Sequence, residues 1–192
     1  MNRLIIWFGL VFILTCGFAT NTPSNTSNTG IIFYFSGKKY CLFAQIRLSK
    51  NGFSQRGGVS KSSLDTISNC YYTSSNYVEI IRQDDALSPN IGLALGFEFD
   101  ETNGEYPYTP THAVLQLKNF TWGGLEFSTT DSLNYTGVSN AISDDLFVAI
   151  DRYQNDTISG RFSGLLLSGA GGMSQIDSGY FKVKLYRKAL KE

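Results

Sequence analysis

The sequence predicts an all-β protein, a single antiparallel β-sandwich or flattened barrel of about eight to ten strands. From Ile31 onward, short runs rich in Tyr, Phe, Ile, Val and Leu alternate with clusters of Gly, Ser, Asn and Asp. This alternation is typical of many short strands joined by turns. The chain has 19 glycines and only 4 prolines, so its turns depend on glycine, which adopts positive φ angles at no steric cost.

The predicted strands follow one another along the whole domain. They cover residues 31–35, 39–48, 77–82, 91–99, 113–117, 125–128, 146–152, 157–167 and 180–186, and a shorter strand-like run begins at Cys70. Tight turns are expected at 36–38, 119–124 and 153–156, where Gly, Asn and Asp accumulate. Only 60–68 and 133–145 are compatible with helix, and each would form a single turn.

The last strand shows the clearest alternation. Phe181, Val183 and Leu185 fall on one face, whereas Lys182 and Lys184 fall on the other together with Tyr186. Since successive side chains of a strand point to opposite faces, this segment predicts a strand with one buried and one wet face.

The N-terminus predicts export from the cytosol. Arg3 is followed by an unbroken apolar run at 4–14 and then by Thr15-Cys16-Gly17-Phe18-Ala19. A positive start, an apolar core of about a dozen residues and a small-residue exit are the signature of a secretory signal. The run is shorter than the roughly 20 apolar residues of a membrane span.

Two cleavage positions remain open for the predicted signal at 1–19. Cleavage before Cys16, with lipid on its thiol, would make a bacterial-type lipoprotein, and cleavage after Ala19 would release a soluble protein. An uncleaved anchor is a third alternative. Residues 20–30 lack apolar side chains, so we expect a flexible Ser/Thr/Asn-rich tether before a β-domain at 31–192.

Cysteine number and total charge restrict the function further. Without Cys16, the domain retains Cys41 and Cys70, which are expected to form a disulfide in an oxidising compartment. Two buried free thiols are the alternative. The 16 basic and 16 acidic residues form no basic stripe, which argues against nucleic acid as a partner. Membrane contact is expected through the lipid anchor only, and the domain is expected to be monomeric.

The C-terminal part of the chain resembles small all-β lipoproteins of Bacteroidota, most of which have no assigned function. The similar segments are Ile158-Ser159-Gly160-Arg161-Phe162-Ser163-Gly164, Ile176-Asp177-Ser178-Gly179-Tyr180-Phe181-Lys182-Val183 and the hairpin Ser36-Gly37-Lys38-Lys39-Tyr40. The resemblance implies a β-sandwich on a lipid tether at an envelope surface. It implies no catalytic residue.

Aromatic residues in or beside the predicted loops are the candidates for ligand binding. Tyr106 and Tyr108 flank Pro107, and Trp122 lies in the following predicted turn. Aromatic rings beside amides and acids can hold a sugar or a peptide. Rim packing at strand ends is the alternative. The wider set of loop aromatics also includes Tyr71, Tyr72 and Tyr77.

Residues that could support catalysis or metal binding are sparse. His112 is the sole histidine, and no G-x-S-x-G elbow frames a serine. Asp100, Asn103 and Glu105 could offer oxygen ligands to Ca²⁺, although they also read as a hairpin turn. Paired carboxylates of a glycoside hydrolase could come from Glu79, Glu98 and Glu126, which are more simply solvent-facing strand residues.

The sequence therefore predicts a non-enzymatic protein of the cell envelope with no cofactor, which recognises an envelope glycan or a surface protein or peptide through its loop aromatics. A soluble, secreted, calycin-like carrier of an apolar ligand is the main alternative, and an envelope hydrolase is a third. N-x-S/T triplets at Asn25, Asn119, Asn134 and Asn155 would be glycan sites if the source were eukaryotic.

Overall fold

The computed structural model describes residues 30–45, 48–49, 64–65, 69–73, 75–85, 90–122, 125–129 and 133–188. The predicted all-β class is confirmed, because the described residues contain strands and no helix. The predicted signal at 1–19, with Cys16, and all of the tether before Gly30 lie outside the described residues. The described residues also contain no helix with the length and apolar character needed to cross a membrane.

The described strands are more numerous than predicted because several are only two or three residues long. They are β1 (Gly30–Phe35), β2 (Lys38–Leu42), β3 (Ala44–Gln45), β4 (Leu48–Ser49), β5 (Leu64–Asp65), β6 (Asn69–Tyr72), β7 (Tyr77–Gln83), β8 (Gly92–Glu98), β9 (Ala113–Lys118), β10 (Phe120–Trp122), β11 (Leu125–Phe127), β12 (Asn134–Ser139), β13 (Leu146–Gln154), β14 (Thr157–Ser168), β15 (Met173–Lys184) and β16 (Tyr186–Lys188).

Two of the predicted turns form two-residue hairpins. Ser36 and Gly37 join β1 to β2 with φ angles of 49° and 73°, and Asn155 and Asp156 join β13 to β14 with 51° and 57°. Positive φ at both central residues matches the right-handed twist of the flanking strands. The tight turn predicted at 119–124 is wrong, because this segment contains strand β10. The single helical turn allowed at 133–145 is also wrong, because residues 134–139 form strand β12.

One strongly curled sheet contains most of the strands, in the order β16-β6-β7-β8-β9-β12-β14-β15-β1-β2. Its two ends approach each other, because β3 directly follows β2 and pairs with β7 through Ala44–Gln83 and Gln45–Arg82. Along this circuit β8 and β15 are four pairing steps apart in either direction. Strands β8 and β15 therefore lie in opposite walls, with outward faces that point in opposite directions.

Aromatic side chains from opposite walls meet in the interior. The Phe97 ring from β8 lies 5.7 Å from the Phe181 ring of β15 in the opposite wall. Within that second wall, the Phe33 ring of β1 lies 6.2 Å from the Phe162 ring of β14, across the intervening strand β15. All four side chains are buried, as are Leu93, Leu95, Leu115 and Ile150. The predicted inward set on the last strand is confirmed, since Phe181, Val183 and Leu185 all lie in this core.

On the inner face of the β14–β15 pair, which we call the β14–β15 seam, glycines lie opposite phenylalanines. Gly160 pairs with Phe181, and Phe162 pairs with Gly179. A Cβ atom at Gly179 would lie 2.4 Å from the Phe162 ring, and one at Gly160 would lie 2.6 Å from the Phe181 ring. Each ring therefore occupies the space that a side chain on its partner would need.

A second, smaller apolar cluster lies on the outward face of β8. It is formed by Ile81, Ala94, Phe120, Trp122 and Phe127. The hairpin of β10 and β11 brings its rings over two glycines of β8, because a Cβ at Gly92 would meet Phe127 at 2.3 Å and one at Gly96 would meet Trp122 at 2.6 Å. The first half of β8 is therefore buried on both faces, whereas Glu98 at its end is exposed.

The expected Cys41–Cys70 disulfide is not formed in the structure. Cys41 is an exposed free thiol. Strand β2 places it opposite Ile32 of β1, whereas β6 places Cys70 opposite Glu79 of β7. Because β2 and β6 do not pair with each other, neither strand register brings these two backbones within the roughly 4–7 Å that a disulfide spans.

Candidate functional site

The three predicted aromatic binding residues lie on different faces of the sheet. Trp122 lies on the outward side of β8, and its side chain is only 9% exposed. Tyr106 and Tyr108 are half-buried and pack against the main core, beyond the end of that strand. Trp122 is therefore separated from the two tyrosines, and a patch made of these three rings alone does not form.

A different group of side chains converges on the outward face of β6, β7 and β8. Tyr72, Tyr77 and Glu98 lie side by side across the three strands, and Glu79 lies two positions further along β7, opposite Gly96. The intervening residues Tyr71, Val78 and Phe97 point into the core. We call this group, Tyr72, Tyr77, Glu79 and Glu98, the tyrosine–glutamate face.

Hydroxyl groups orient both carboxylates of the tyrosine–glutamate face. The Tyr72 hydroxyl donates to Oε2 of Glu79 at 2.9 Å, and the Thr111 hydroxyl donates to Oε2 of Glu98. Within the described part of the chain, neither carboxylate takes part in an ion pair. Each carboxylate therefore has further lone pairs with which to accept a hydrogen bond from a ligand.

Tyr77 occupies the centre of this face. Its hydroxyl lies 2.4 Å from the position that a Cβ on Gly96 would take, beside the edge of the Trp122 ring. Burial raises the pKa of Tyr77 to about 12, and the charges of Glu79 and Glu98 add to that shift. At neutral pH the phenol is therefore protonated, and it can donate a hydrogen bond.

Beside Glu98 lies a second tyrosine group at the end of the interior, which we call the tyrosine end. It consists of Tyr71, Tyr108 and Tyr153 around Phe99, together with Tyr106, which also packs against the core. The Phe99 ring lies 5.8 Å from Tyr71, 6.4 Å from Tyr108 and 5.0 Å from Tyr153. Burial raises the pKa of Tyr108, and Glu98 and Asp100 contribute to the same shift. The charge of the Glu98 carboxylate thus contributes to the raised pKa of Tyr77 on one side and of Tyr108 on the other.

The backbone holds the loop of Tyr106 and Tyr108 in place. The Tyr106–Pro107 peptide bond is cis. The Tyr108 amide donates to the Ile150 carbonyl at 2.9 Å, and the Ile150 amide donates to the Tyr108 carbonyl at 2.7 Å. This reciprocal pair fixes the loop to β13, so Tyr108 is presented from a rigid segment.

Arg187 closes the tyrosine end with polar contacts. Its guanidinium donates to both carboxylate oxygens of Glu101, at 3.0 and 2.6 Å, and to Asp156 at 3.2 Å. It also donates to the Tyr153 hydroxyl at 3.0 Å and lies over the Tyr71 ring at 5.7 Å. These contacts raise the pKa of Arg187. They tie β16 to two loops, which is a structural role.

The loop of the calcium candidates uses its oxygens to build turns. Asp100 Oδ1 accepts the Thr102 amide at 2.8 Å and the Thr102 hydroxyl at 2.7 Å, contacts that lower the pKa of Asp100. Asn103 Oδ1 accepts the Glu105 amide at 3.1 Å. In the part of the chain that the structure describes, no three His, Cys, Asp or Glu side chains are grouped as metal ligands.

The other candidates occupy separate positions. The half-buried His112 contributes its carbonyl, which accepts the Glu98 amide at 3.0 Å. Glu79 and Glu98 share one face, whereas Glu126 lies in β11 opposite Thr121. Of the sequon residues, Asn119 donates to the Leu133 carbonyl at 2.8 Å and Asn134 accepts the Gly169 amide at 3.1 Å, while Asn155 is exposed in its hairpin turn.

Sequence reasoning grouped Glu79 and Glu98 as candidate paired carboxylates and Tyr77 among the loop aromatics, and it missed the convergence of the tyrosine with the two glutamates. The signal that could have found it is strand parity, because Tyr77 and Glu79 on β7, and Glu98 on β8, alternate with the core residues Val78, Ile80 and Phe97. The pairing register, which sequence does not give, is needed to place Tyr77 opposite Glu98.

Comparison with known proteins provides no indication of function, so the functional argument depends on the geometry of the site. No protein-family model, no curated protein and no solved structure matches the chain.

Proposed function

We propose that this chain is an exported, lipid-anchored protein of the cell envelope that binds a glycan without cleaving it. The apolar signal, Cys16 and the polar tether support the anchor. The observation that supports glycan binding is the tyrosine–glutamate face, continued past Glu98 to Tyr108.

The chemistry of this surface suits a sugar chain. The C–H faces of a pyranose pack on aromatic rings, and its hydroxyl groups need donors and acceptors around the same rings. Tyr72 and Tyr77 supply half-buried rings, and Glu79 and Glu98 supply acceptors. Tyrosine also gives contact area at a small cost in side-chain entropy.

The placement of the two glutamates favours binding over hydrolysis. Glycosidases hold their two carboxyl groups on either side of the scissile bond, in a cleft. Glu79 and Glu98 belong to the outward face of a curled sheet, and hydroxyl donors already occupy one oxygen of each.

Contact between opposite walls of the sheet supports a binding surface over the carrier alternative. A calycin-like carrier needs space between its walls for an apolar ligand. Here Phe97 and Phe181 meet from opposite walls with ring centroids 5.7 Å apart.

Binding is tested by screening the purified protein on an array of neutral and acidic oligosaccharides. We expect retention of uncharged glycans, reduced at least about tenfold in Tyr77→Ala, since that change removes a ring and a hydroxyl from the contact. Tyr34→Ala is the matched control, because Tyr34 is an exposed tyrosine on β1 in the other wall. Equal retention by both variants, or retention only on a peptide array, would contradict the proposal.

The anchor is tested by intact-mass measurement on protein extracted from membranes. We expect a chain that begins at Cys16 and carries acyl groups, and a soluble product from Cys16→Ser. A membrane-free protein that begins at Thr20 would contradict the anchor and leave the glycan site to be judged on its own.

A further inference from the structure

Five exposed apolar side chains lie close together on the wall opposite the tyrosine–glutamate face. They are Ile142, Phe147, Leu165, Leu167 and Met173, and we call them the apolar patch. Ile142 is 97% exposed and Met173 is 65% exposed. Scattered exposed apolar residues are ordinary on a soluble domain, whereas a contiguous group marks a contact surface.

The pairing registers make the apolar patch contiguous. Leu167 and Met173 are direct cross-strand partners on β14 and β15, and Leu165 lies two positions from Leu167 on the same face. The Leu165 amide donates to the Asp145 carbonyl at 2.8 Å, which brings the loop of Ile142 beside it. Phe147 pairs with Ser163, two residues before Leu165.

The size and composition of the apolar patch fit a lipid surface better than a second copy of the chain. A stable dimer buries about 800 Å² on each partner, more than five partly exposed side chains provide. Protein interfaces are enriched in Tyr, Trp, Phe, Met and Arg, of which the patch has only Phe147 and Met173. It lacks Trp, Tyr and Arg, the residues that contribute most of the binding energy at such interfaces. Aliphatic side chains and Met, with Ile142 projecting from a loop, are suited to insertion between lipid headgroups.

The distance between Gly30, where the predicted tether ends, and the apolar patch is also compatible with membrane contact. Gly30 pairs with Lys182 on β15, and Met173 lies nine positions earlier on that strand, about 30 Å away at the rise of a strand. The chain between Cys16 and Gly30 could span at most about 50 Å if fully extended. A lipid on Cys16 and the apolar patch can therefore enter the same bilayer.

We propose that the apolar patch rests on the outer surface of a bilayer with uncharged headgroups. Asp144 and Asp145 are exposed beside the patch, so an anionic surface would repel it. This contact would point the tyrosine–glutamate face away from the membrane, because that face belongs to the opposite wall. The tether argument rests on the proposed anchor, whereas the contact itself can be tested without it.

The test is co-sedimentation with phosphatidylcholine vesicles of the Cys16→Ser protein freed of its signal, so that neither the apolar run at 4–14 nor an acyl chain contributes. We expect weak binding that falls at least about tenfold in Leu167→Glu/Met173→Glu, because two apolar side chains are then lost from the lipid contact. The control is Tyr34→Glu/Tyr180→Glu, which replaces two exposed tyrosines on the outward face of β1 and β15 by glutamate and so adds the same charge away from the patch. Unfolding curves of both double variants show whether each is folded.

Three results would overturn the proposal. These are no binding of the Cys16→Ser protein to the vesicles, equal loss of binding in both folded double variants, and a dimer that Leu167→Glu/Met173→Glu dissociates. Because glycan retention is measured at the opposite wall, failure of the lipid contact leaves that measurement unaffected.

Discussion

Aromatic rings cover glycines at two places in this protein, once inside the sheet and once outside it. Inside, Phe162 covers Gly179 and packs toward Phe33 of another strand. Outside, Trp122 and the Tyr77 hydroxyl cover Gly96. The inner ring is enclosed on all sides, whereas the outer cover ends at Glu98. The same packing device therefore stabilises the core in one place and leaves a polar, ligand-accessible margin in the other.

The largest expected effect comes from removing an inner ring. Phe162→Ala should lower the free energy of unfolding by about 3–5 kcal/mol, because it empties space that Gly179 cannot fill. Tyr180→Ala, on the exposed face of β15, should cost less than about 1 kcal/mol. Denaturant unfolding monitored by fluorescence measures both. Similar losses in the two variants would show that the seam is not a packed interior.

The second effect tests the glycine side of the same seam. Gly179→Ala should destabilise the fold by about 1–3 kcal/mol, since its new methyl group would overlap the buried Phe162 ring. Gly172→Ala is the matched control, because its Cβ would meet only the Ser168 Cβ, at 3.9 Å. Thermal unfolding of the two variants compares them directly, and equal midpoints would refute the reciprocal packing of glycine and phenylalanine.

A smaller effect is expected at the outer glycine. Gly96→Ala should cost about 1 kcal/mol, at the lower end of overpacking. The Tyr77 hydroxyl lies at the tip of a half-buried side chain that can turn outward, and the Trp122 ring, 2.6 Å from the new Cβ, belongs to an outer layer that is packed from one side only. Turning outward would also lower the pKa of Tyr77 from about 12 toward its usual value. A loss as large as that of Gly179→Ala would mean that the outer cover is as rigid as the core.

The contrast between the two regions also explains what the sequence could predict. Alternation in β8 and β15 depends only on neighbouring residues, so the inward set containing Phe97 and Phe181 could be predicted. The cover of β8 by Trp122 depends on a hairpin packing back over a distant strand, which no local pattern encodes. Arg82 is a further case that residue type alone does not predict. An arginine near the end of a strand is expected to be exposed to solvent, but Arg82 pairs with Leu93 and is fully buried.

The same limit applies to the candidate site. Each aromatic residue beside a predicted loop could be recognised, but the grouping of Tyr106, Tyr108 and Trp122 assumed that closeness in sequence means closeness in space. The registers instead join Tyr77 to Glu98, residues 21 positions apart in the printed numbering. Cross-strand pairing is a property of the folded sheet, and it decides which side chains meet.

The smallest effect concerns the charge around Tyr77. Its pKa of about 12 exceeds the usual 10 of a tyrosine, so the folded state holds its proton more tightly than the unfolded chain does. This contribution to stability is present below pH 10 and is lost as the pH rises from 10 through 12. Absorbance of phenolate, compared between wild type and Tyr77→Phe, isolates the titration of Tyr77.

Glu98→Gln separates the two causes of that shift. Because burial is the larger cause and the carboxylates are the smaller one, the variant should lower the pKa of Tyr77 only slightly and leave it above 10. Glu105→Gln, on the 100–105 loop, is the control and should not move it. A return of the Tyr77 pKa to 10 in Glu98→Gln would mean that the charge of the carboxylate, and not burial, is the main cause of the shift. The difference between the two regions would then lie in electrostatics more than in packing.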